Sequence, residues 1–200
     1  MEGMKPIAVV YATREGQAER IAERVAEGLR RRGLEAKVSN AGEARDRLDL
    51  DACSAAVLAA SVHAGTHERE MVDFVKRHRE RLQSMPNAFL SVTLSEAGVE
   101  RKDASPEEHA RFVADVKKVT DRFVADTGWR PEHLVPVAGA LLYTRYNFLV
   151  RLVMKRIARA CGGSTDTSRD HDYTDWKALD EFVGAFAEEV KGRARADFAC

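Results

Sequence analysis

Ile7-Ala8-Val9-Val10-Tyr11 runs into Ala12-Thr13-Arg14-Glu15-Gly16-Gln17-Ala18, and the reading of this junction decides the fold. Five consecutive apolar residues suit a strand buried on both faces, as strands of a parallel sheet are. Polar residues and Gly16 follow at once, and from Gln17 to Arg32 the apolar positions Ile21, Ala22, Val25, Ala26 and Leu29 recur at helical spacing. Gly33 supplies a stop. Backbone N–H groups at the start of such a helix, aided by its dipole, cradle an anion such as a phosphate monoester. Thr13, Arg14, Glu15, Gly16, Gln17 and Ala18 are therefore a candidate anion loop by position. The loop has neither the GxGxxG spacing of a dinucleotide fold nor GxxxxGK[ST], which disfavours NAD and ATP. The same glycine and hydroxyl also suit simple capping of a tight strand-to-helix turn.

The alternation continues outward from this unit. Leu34 to Ser39, Ser54 to Ser61, Asn87 to Leu94 and Leu134 to Leu142 read as strands; Glu68 to Gln83, Pro106 to Asp126 and about Asp175 to Lys191 read as helices. Strands alternating with helices predict a parallel sheet covered on both faces. Ligands of such sheets lie beyond the carboxyl ends of the strands. The loops Ser61-Val62-His63-Ala64-Gly65 and Thr93-Leu94-Ser95 should therefore converge on the anion loop. His63 and His67 are candidate proton shuttles because imidazole titrates near neutrality, although most loop histidines are simply solvated. His78 and His133 show no metal-ligand spacing, and no metal is expected.

Two hundred residues, 44% of them hydrophobic, suffice for one doubly wound domain with an insertion and are short for two. We expect a single domain over residues 1–200. Lys and Arg together number 32, as do Asp and Glu, so net charge draws the chain neither to nucleic acid nor toward the acidic character of a soluble electron carrier. Cys53, Cys161 and Cys200 form no CxxC pair, which fits a reducing cytoplasm. No signal-like apolar stretch follows Met1, and no run reaches the roughly 18 apolar residues of a spanning helix, so membrane contact would be peripheral.

About thirty residues, 143–173, separate the fifth strand from the last helix, where a compact fold needs only a few. From Pro136 to Thr165 there is no Asp or Glu, while Arg145, Arg151, Lys155, Arg156 and Arg159 lie within the span. At about 100° per residue these cations share one arc, with Leu149, Val150, Val153, Met154 and Ile157 opposite. Phe148 and Leu152 fall among the cations. A basic amphipathic helix of this kind is either a packed element with a solvated charged side or a contact surface. As a contact surface it suits anionic lipid or a flat apolar ligand bearing carboxylates, with Tyr143, Tyr146 and Phe148 against the ring.

Tyr11 to Ala22 resembles the opening of the menaquinone-dependent protoporphyrinogen dehydrogenases of bacterial haem biosynthesis, a branch of the flavodoxin superfamily. The likeness continues through Ser84-Met85-Pro86-Asn87-Ala88-Phe89, Ser91-Val92, Trp129-Arg130-Pro131 and Ala138-Gly139-Ala140-Leu141. It extends to Gly162-Gly163, Thr165-Asp166-Thr167 and Tyr173-Thr174-Asp175-Trp176. It implies an α/β, flavodoxin-like, doubly wound five-stranded parallel sheet with a basic helical insertion after the fifth strand. It also implies FMN held by Thr13 to Ala18, Ser61 to Gly65 and Thr93 to Ser95. The implied reaction is dehydrogenation of protoporphyrinogen IX to protoporphyrin IX in three two-electron cycles, with electrons passed to a membrane quinone, menaquinone or ubiquinone. Tyr143, Arg145, Tyr146, Phe148, Arg151, Leu152, Lys155 and Arg159 are then the expected substrate or membrane contacts. The protein would sit on the inner face of the cell membrane.

Two features depart from the family pattern. Ala18 stands where a second hydroxyl is common, removing one phosphate hydrogen bond, and Ser95 to Glu108 is longer and more acidic than expected. Two other classes remain: a flavodoxin-like FMN electron carrier, against which the near-zero charge and basic insertion count, and an NAD(P)H-dependent quinone reductase, for which no second nucleotide fingerprint is present.

Overall fold

The computed structural model describes residues 4–44, 48–145, 152, 155, 156, 158, 159 and 164–198. Five parallel strands, β1 (Ile7–Ala12), β2 (Ala36–Asn40), β3 (Ala55–His63), β5 (Asn87–Thr93) and β6 (His133–Ala138), lie in the order β2-β1-β3-β5-β6. The short β4 (Thr66–His67) turns back antiparallel on the end of β3. This is the doubly wound order expected, with the reversal of winding beside β1 and β3.

Side-chain alternation builds the two faces. Ile7, Val9, Ala55, Val57 and Ala59 pack with α1 (Gln17–Arg31) and α6 (Trp176–Phe198). Ala8, Val10, Ala56, Leu58 and Ala60 pack with α2 (Ala41–Ala44) and α3 (Arg69–Gln83), and with Phe123 of α5 (Pro106–Thr127). The strands are rich in alanine, which lets the helices approach closely. A Cβ on Gly28 of α1 would lie 2.9 Å from Val183 of α6, so that contact requires glycine.

The fifth strand ends earlier than the apolar run suggests. β5 stops at Thr93, where the chain turns into α4 (Leu94–Val99), leaving β6 without a ladder partner beyond Ala138. Gly139 N–H closes the pair on Thr93 C=O at 3.1 Å. The chain then leaves the sheet, and β7 (Ala140–Leu141) pairs antiparallel with β8 (His171–Asp172). A small hydrophobic cluster of Leu141, Leu142, Tyr143 and Ala158 sits at this point. The expected loop at Ser95 is likewise helical: Thr93 Oγ1 caps it by accepting from Ser95 N–H at 3.2 Å. Gly98 presses so closely on Phe112 that a Cβ would lie 2.6 Å from the ring, which seats α4 on α5.

Candidate functional site

At the carboxyl ends of β1, β3, β5 and β6 the chain encloses a cleft of about 380 Å³. Glu15 and Gln17 line it from the anion loop, Ser61, Val62 and His63 from the end of β3, which runs on past the expected start of the loop, Ala64 and Gly65 from the β3–β4 turn, and Thr93, Leu94 and Ser95 from the start of α4. The three sequence-predicted segments thus meet in one place. Sequence reasoning missed the fourth wall: Asp115, Lys118 and Val119 of α5, with Gly139 and Ala140. Helical periodicity puts 115, 118 and 119 on one face of α5, but nothing local says which loop that face meets.

The anion loop is shaped by Gly16, whose φ of 99° is left-handed and open to glycine. Its N–H donates to Thr13 Oγ1 at 3.0 Å, and Thr13 Oγ1 lies 3.2 Å from Ser61 Oγ. No side chain caps the N-terminus of α1. The N-cap is a glycine without a capping side chain, which leaves the first-turn N–H groups of Gln17 and Ala18 for an anion such as a phosphate monoester. Ala18 is fully buried in the core beneath α1, so only its backbone is placed to serve an anion. The side chain of Gln17 is also turned inward. Its Nε2 donates to Thr174 Oγ1 at 2.7 Å and Asp172 Oδ1 at 3.0 Å, leaving its backbone for the loop.

Charged and ionisable side chains beside the loop lie at ion-pair distance from one another. Arg14 Nε lies 3.0 Å from Glu68 Oε1, and His63 Nε2 lies 2.9 Å from Glu15 Oε2 and 3.2 Å from Glu68 Oε1. The His63 and Glu68 atoms are buried and at ion-pair distance, without the alignment of a hydrogen bond. Arg14 thus serves Glu68 first, and His63 is the imidazole that lines the cleft. His67 is a correction to the shuttle reading. It is 5% exposed, packs against the Phe89 and Phe123 rings and meets Ser91 Oγ at 2.8 Å; burial lowers its pKa to about 4. It is a neutral core residue.

The β3–β4 turn carries Ala64 at φ 48° and Gly65 at φ 75°. Both positive values suit a two-residue hairpin turn, and Ala64 is the one non-glycine residue with positive φ among the described residues. Its conformation holds peptide groups at the rim of the cleft at a cost of roughly 1–2 kcal/mol.

The insertion divides. Tyr143 is fully buried and its hydroxyl donates to Ser164 C=O at 2.9 Å, so it anchors the small cluster and is not a surface available to a ligand ring. Arg145 ends a 3-10 turn begun at Tyr143. Leu152, Lys155, Arg156, Ala158 and Arg159 are helical; Leu152 is 55% exposed, Arg156 and Arg159 are exposed and Ala158 is buried. Residues 152, 155, 156 and 159 fall on one side at helical spacing, with an apolar side chain among cations. Tyr146, Phe148 and Arg151 lie outside the described residues. Elsewhere, Glu132, His133 and Glu189 bring ligating atoms within 4.8 Å of one another. Arg193 already holds both carboxylates, at 2.7 Å to Glu132 and 2.7 Å to Glu189. That group is an ion-pair staple between β6 and α6.

The flavodoxin-domain family model matches residues 8–168. The chain belongs to that family. This flavodoxin domain is 34% identical over 182 residues to the protein named protoporphyrinogen IX dehydrogenase [quinone] of Escherichia coli strain K12, covering 91% of this chain and 92% of that one. A protein of the same name from Leishmania major is 33% identical over 131 residues, 66% of this chain and 52% of that one. Flavodoxin 1 of Bacillus cereus superposes with a TM-score of 0.49 at 12% identity, covering 92% of this chain and 97% of that structure. FMN is the cofactor of a flavodoxin domain, and the uncapped α1 terminus with Thr13, Gly16 and Ser61 fits its phosphate.

Proposed function

We propose that this flavodoxin domain dehydrogenates protoporphyrinogen IX to protoporphyrin IX in haem biosynthesis and passes the electrons to a membrane quinone. The observation that carries the reading is the 34% identity, over nearly the whole of both chains, to a relative named for that reaction. When bound, FMN supplies the two-electron chemistry, three turns of which account for the six electrons between porphyrinogen and porphyrin. The residues of the chain bind, orient and screen. First-turn N–H groups at Gln17 and Ala18 would hold the phosphate, with Gly16 N–H tied to Thr13 Oγ1 to shape the loop, while the backbone of Ser61 to Gly65 and Thr93 to Ser95 would line the ring edges. Val62, Leu94 and Val119 exclude water from the cleft. No strong side-chain acid or base is required of this site, since positioning and electronic tuning are what such a cofactor needs.

Residues 1–200 act in this reading as one domain whose insertion at about 143–173 faces the membrane and the substrate. Leu152 with Lys155, Arg156 and Arg159 supports contact with an anionic bilayer, each cation contributing on the order of 1 kcal/mol and the leucine dipping toward the acyl chains. Among the described residues no helix is long and apolar enough to cross a membrane; in this reading the protein attaches peripherally, at the inner face, through those cations. Anaerobic mixing of the FMN-loaded protein with protoporphyrinogen IX and a soluble quinone analogue tests the reading. Porphyrin fluorescence should rise with quinone consumed and no nicotinamide nucleotide present. Rapid flavin reduction by NADPH, with none by protoporphyrinogen, would replace this function with that of a quinone reductase; reduction by neither would leave an electron carrier.

A further inference from the structure

Lys118 is the single Lys or Arg among the described residues that line the cleft, where the acidic side chains are Glu15 and Asp115. It is exposed, and among the described residues it makes no ion pair, whereas its neighbour Lys117 pairs with Asp121. Nor does it belong to the anion loop. That loop follows β1, whereas Lys118 stands on α5, which packs against α4 and the β4 hairpin; β3 separates β1 from β5 in the sheet. The cleft therefore has two places for negative charge: the N–H groups of the loop at one end and this ammonium at the other. Val119 follows it on α5 and Leu94 lines the same cleft, apolar side chains that suit the body of a hydrophobic ligand. With the loop given to the phosphate, a ligand bearing carboxylates on an apolar frame meets the acidic Glu15 and Asp115 and, among the described side chains of the lining, one cation at Lys118.

We propose that Lys118 holds a carboxylate of the substrate, its ammonium taking a propionate group at the α5 wall of the cleft and so setting which edge of the macrocycle enters. The assignment rests on the tetrapyrrole reading above. It also makes the cleft discriminate between the two reactants, because a quinone carries no carboxylate and gains nothing from this residue. Lysine suits the role as a compact point charge on a flexible stem, able to follow a mobile propionate.

The test is equilibrium binding of protoporphyrin IX and of its dimethyl ester, in the same detergent, to the FMN-loaded parent, Lys118→Gln and Lys118→Arg, read by porphyrin fluorescence. The parent should favour the free acid over the ester by about tenfold or more. Lys118→Gln should lose that preference by weakening only the free acid, and Lys118→Arg should keep most of it. Equal binding of acid and ester by the parent overturns the inference, as does a Lys118→Gln protein that keeps the parent's preference. A Lys118→Gln protein whose FMN affinity falls in step with its porphyrin affinity assigns the ammonium to the cofactor and also overturns it. Failure of the function reading is separately visible: a parent that prefers the free acid yet never oxidises protoporphyrinogen leaves Lys118 as a carboxylate site in a protein with another reaction.

Discussion

The side-chain amide of Gln17 donates a buried hydrogen bond to the hydroxyl of Thr174, 2.7 Å away and 157 residues on in the chain. Thr174 Oγ1 in turn donates to Ala138 C=O at 2.7 Å, and Asp172 accepts from Gln17 at 3.0 Å while pairing with Arg20 at 3.1 Å. The first residue of α1, the end of β6 and the return of the insertion are thereby one hydrogen-bonded unit. The anion loop and the insertion are distant in sequence and adjacent in space.

Thr174→Val removes the hydroxyl while keeping the side chain's volume, leaving the Gln17 amide and the Ala138 carbonyl each one partner short. Unfolding free energy should fall by about 1–3 kcal/mol, the usual cost of unsatisfied buried polar groups. FMN should bind several-fold more weakly, because Gln17 anchors the loop whose N–H groups face the phosphate. Thr174→Ser, which keeps the hydroxyl, should restore most of both. Urea melts and flavin fluorescence titration measure them; a Val variant with the parent's FMN affinity would show that the latch does not shape the loop.

This latch also marks where sequence reading stopped. The five strands, the flanking helices and the three cleft-lining loops follow from apolar runs and helical periodicity, which are local signals. Whether Gln17 faces an anion or the core, whether Tyr143 lies on the surface, and that Lys118 closes the cleft depend on partners more than twenty residues away. His67 shows the same limit. A histidine after a strand reads as a loop residue, yet the β3–β4 hairpin folds it under Phe89 and Phe123. The end of the fifth strand was hidden for a further reason: Gly139 and the residues after it remain apolar, and only the early turn of β5 into α4 deprives them of a ladder.

Gly16→Val forces a β-branched residue to φ 99°. Backbone strain should lower the stability of the FMN-free protein by about 1–2 kcal/mol or somewhat more, and the side chain would stand where the backbone must approach the phosphate. FMN affinity should drop tenfold or more, beyond what the stability loss predicts at temperatures where the variant is folded. Parent-like affinity in a folded Gly16→Val protein would move the phosphate site away from this loop.

His67 gives the protein an acid-sensitive core. Its folded pKa of about 4 lies below the ordinary 6.5 because burial disfavours the charged ring. Between these values the unfolded chain binds the extra proton, so stability is fully present above pH 6.5 and is lost as pH falls toward 4. The full loss from this group is about 3 kcal/mol. His67→Gln keeps a polar group for Ser91 and removes the titration. Urea unfolding at pH 7, 5.5 and 4.5 should show the parent losing stability faster than the variant across that range. Parallel losses would mean that carboxylates elsewhere control the acid limit.

The exposed cationic side of the insertion should be separable from the cofactor site, provided the latch is left intact. Lys155, Arg156 and Arg159 share a helix side with Leu152, while the contacts to Gln17 come from Asp172 and Thr174, beyond that helix. Replacing Leu152, Lys155, Arg156 and Arg159 together by Gln should leave FMN affinity within about twofold of the parent and weaken binding to vesicles containing anionic lipid. At roughly 1 kcal/mol per cation, three cations correspond to about a hundredfold or more in vesicle affinity. The parent's own binding should weaken as salt rises, because screening at about 0.5 M leaves little of an attraction between exposed charges. If the parent binds anionic and neutral vesicles alike, or the fourfold variant binds as the parent does, the cations are a solvated face and the membrane-facing role of the insertion is wrong. Loss of FMN in the variant would instead show that this helix supports the latch, placing its function in holding the loop rather than in meeting the bilayer.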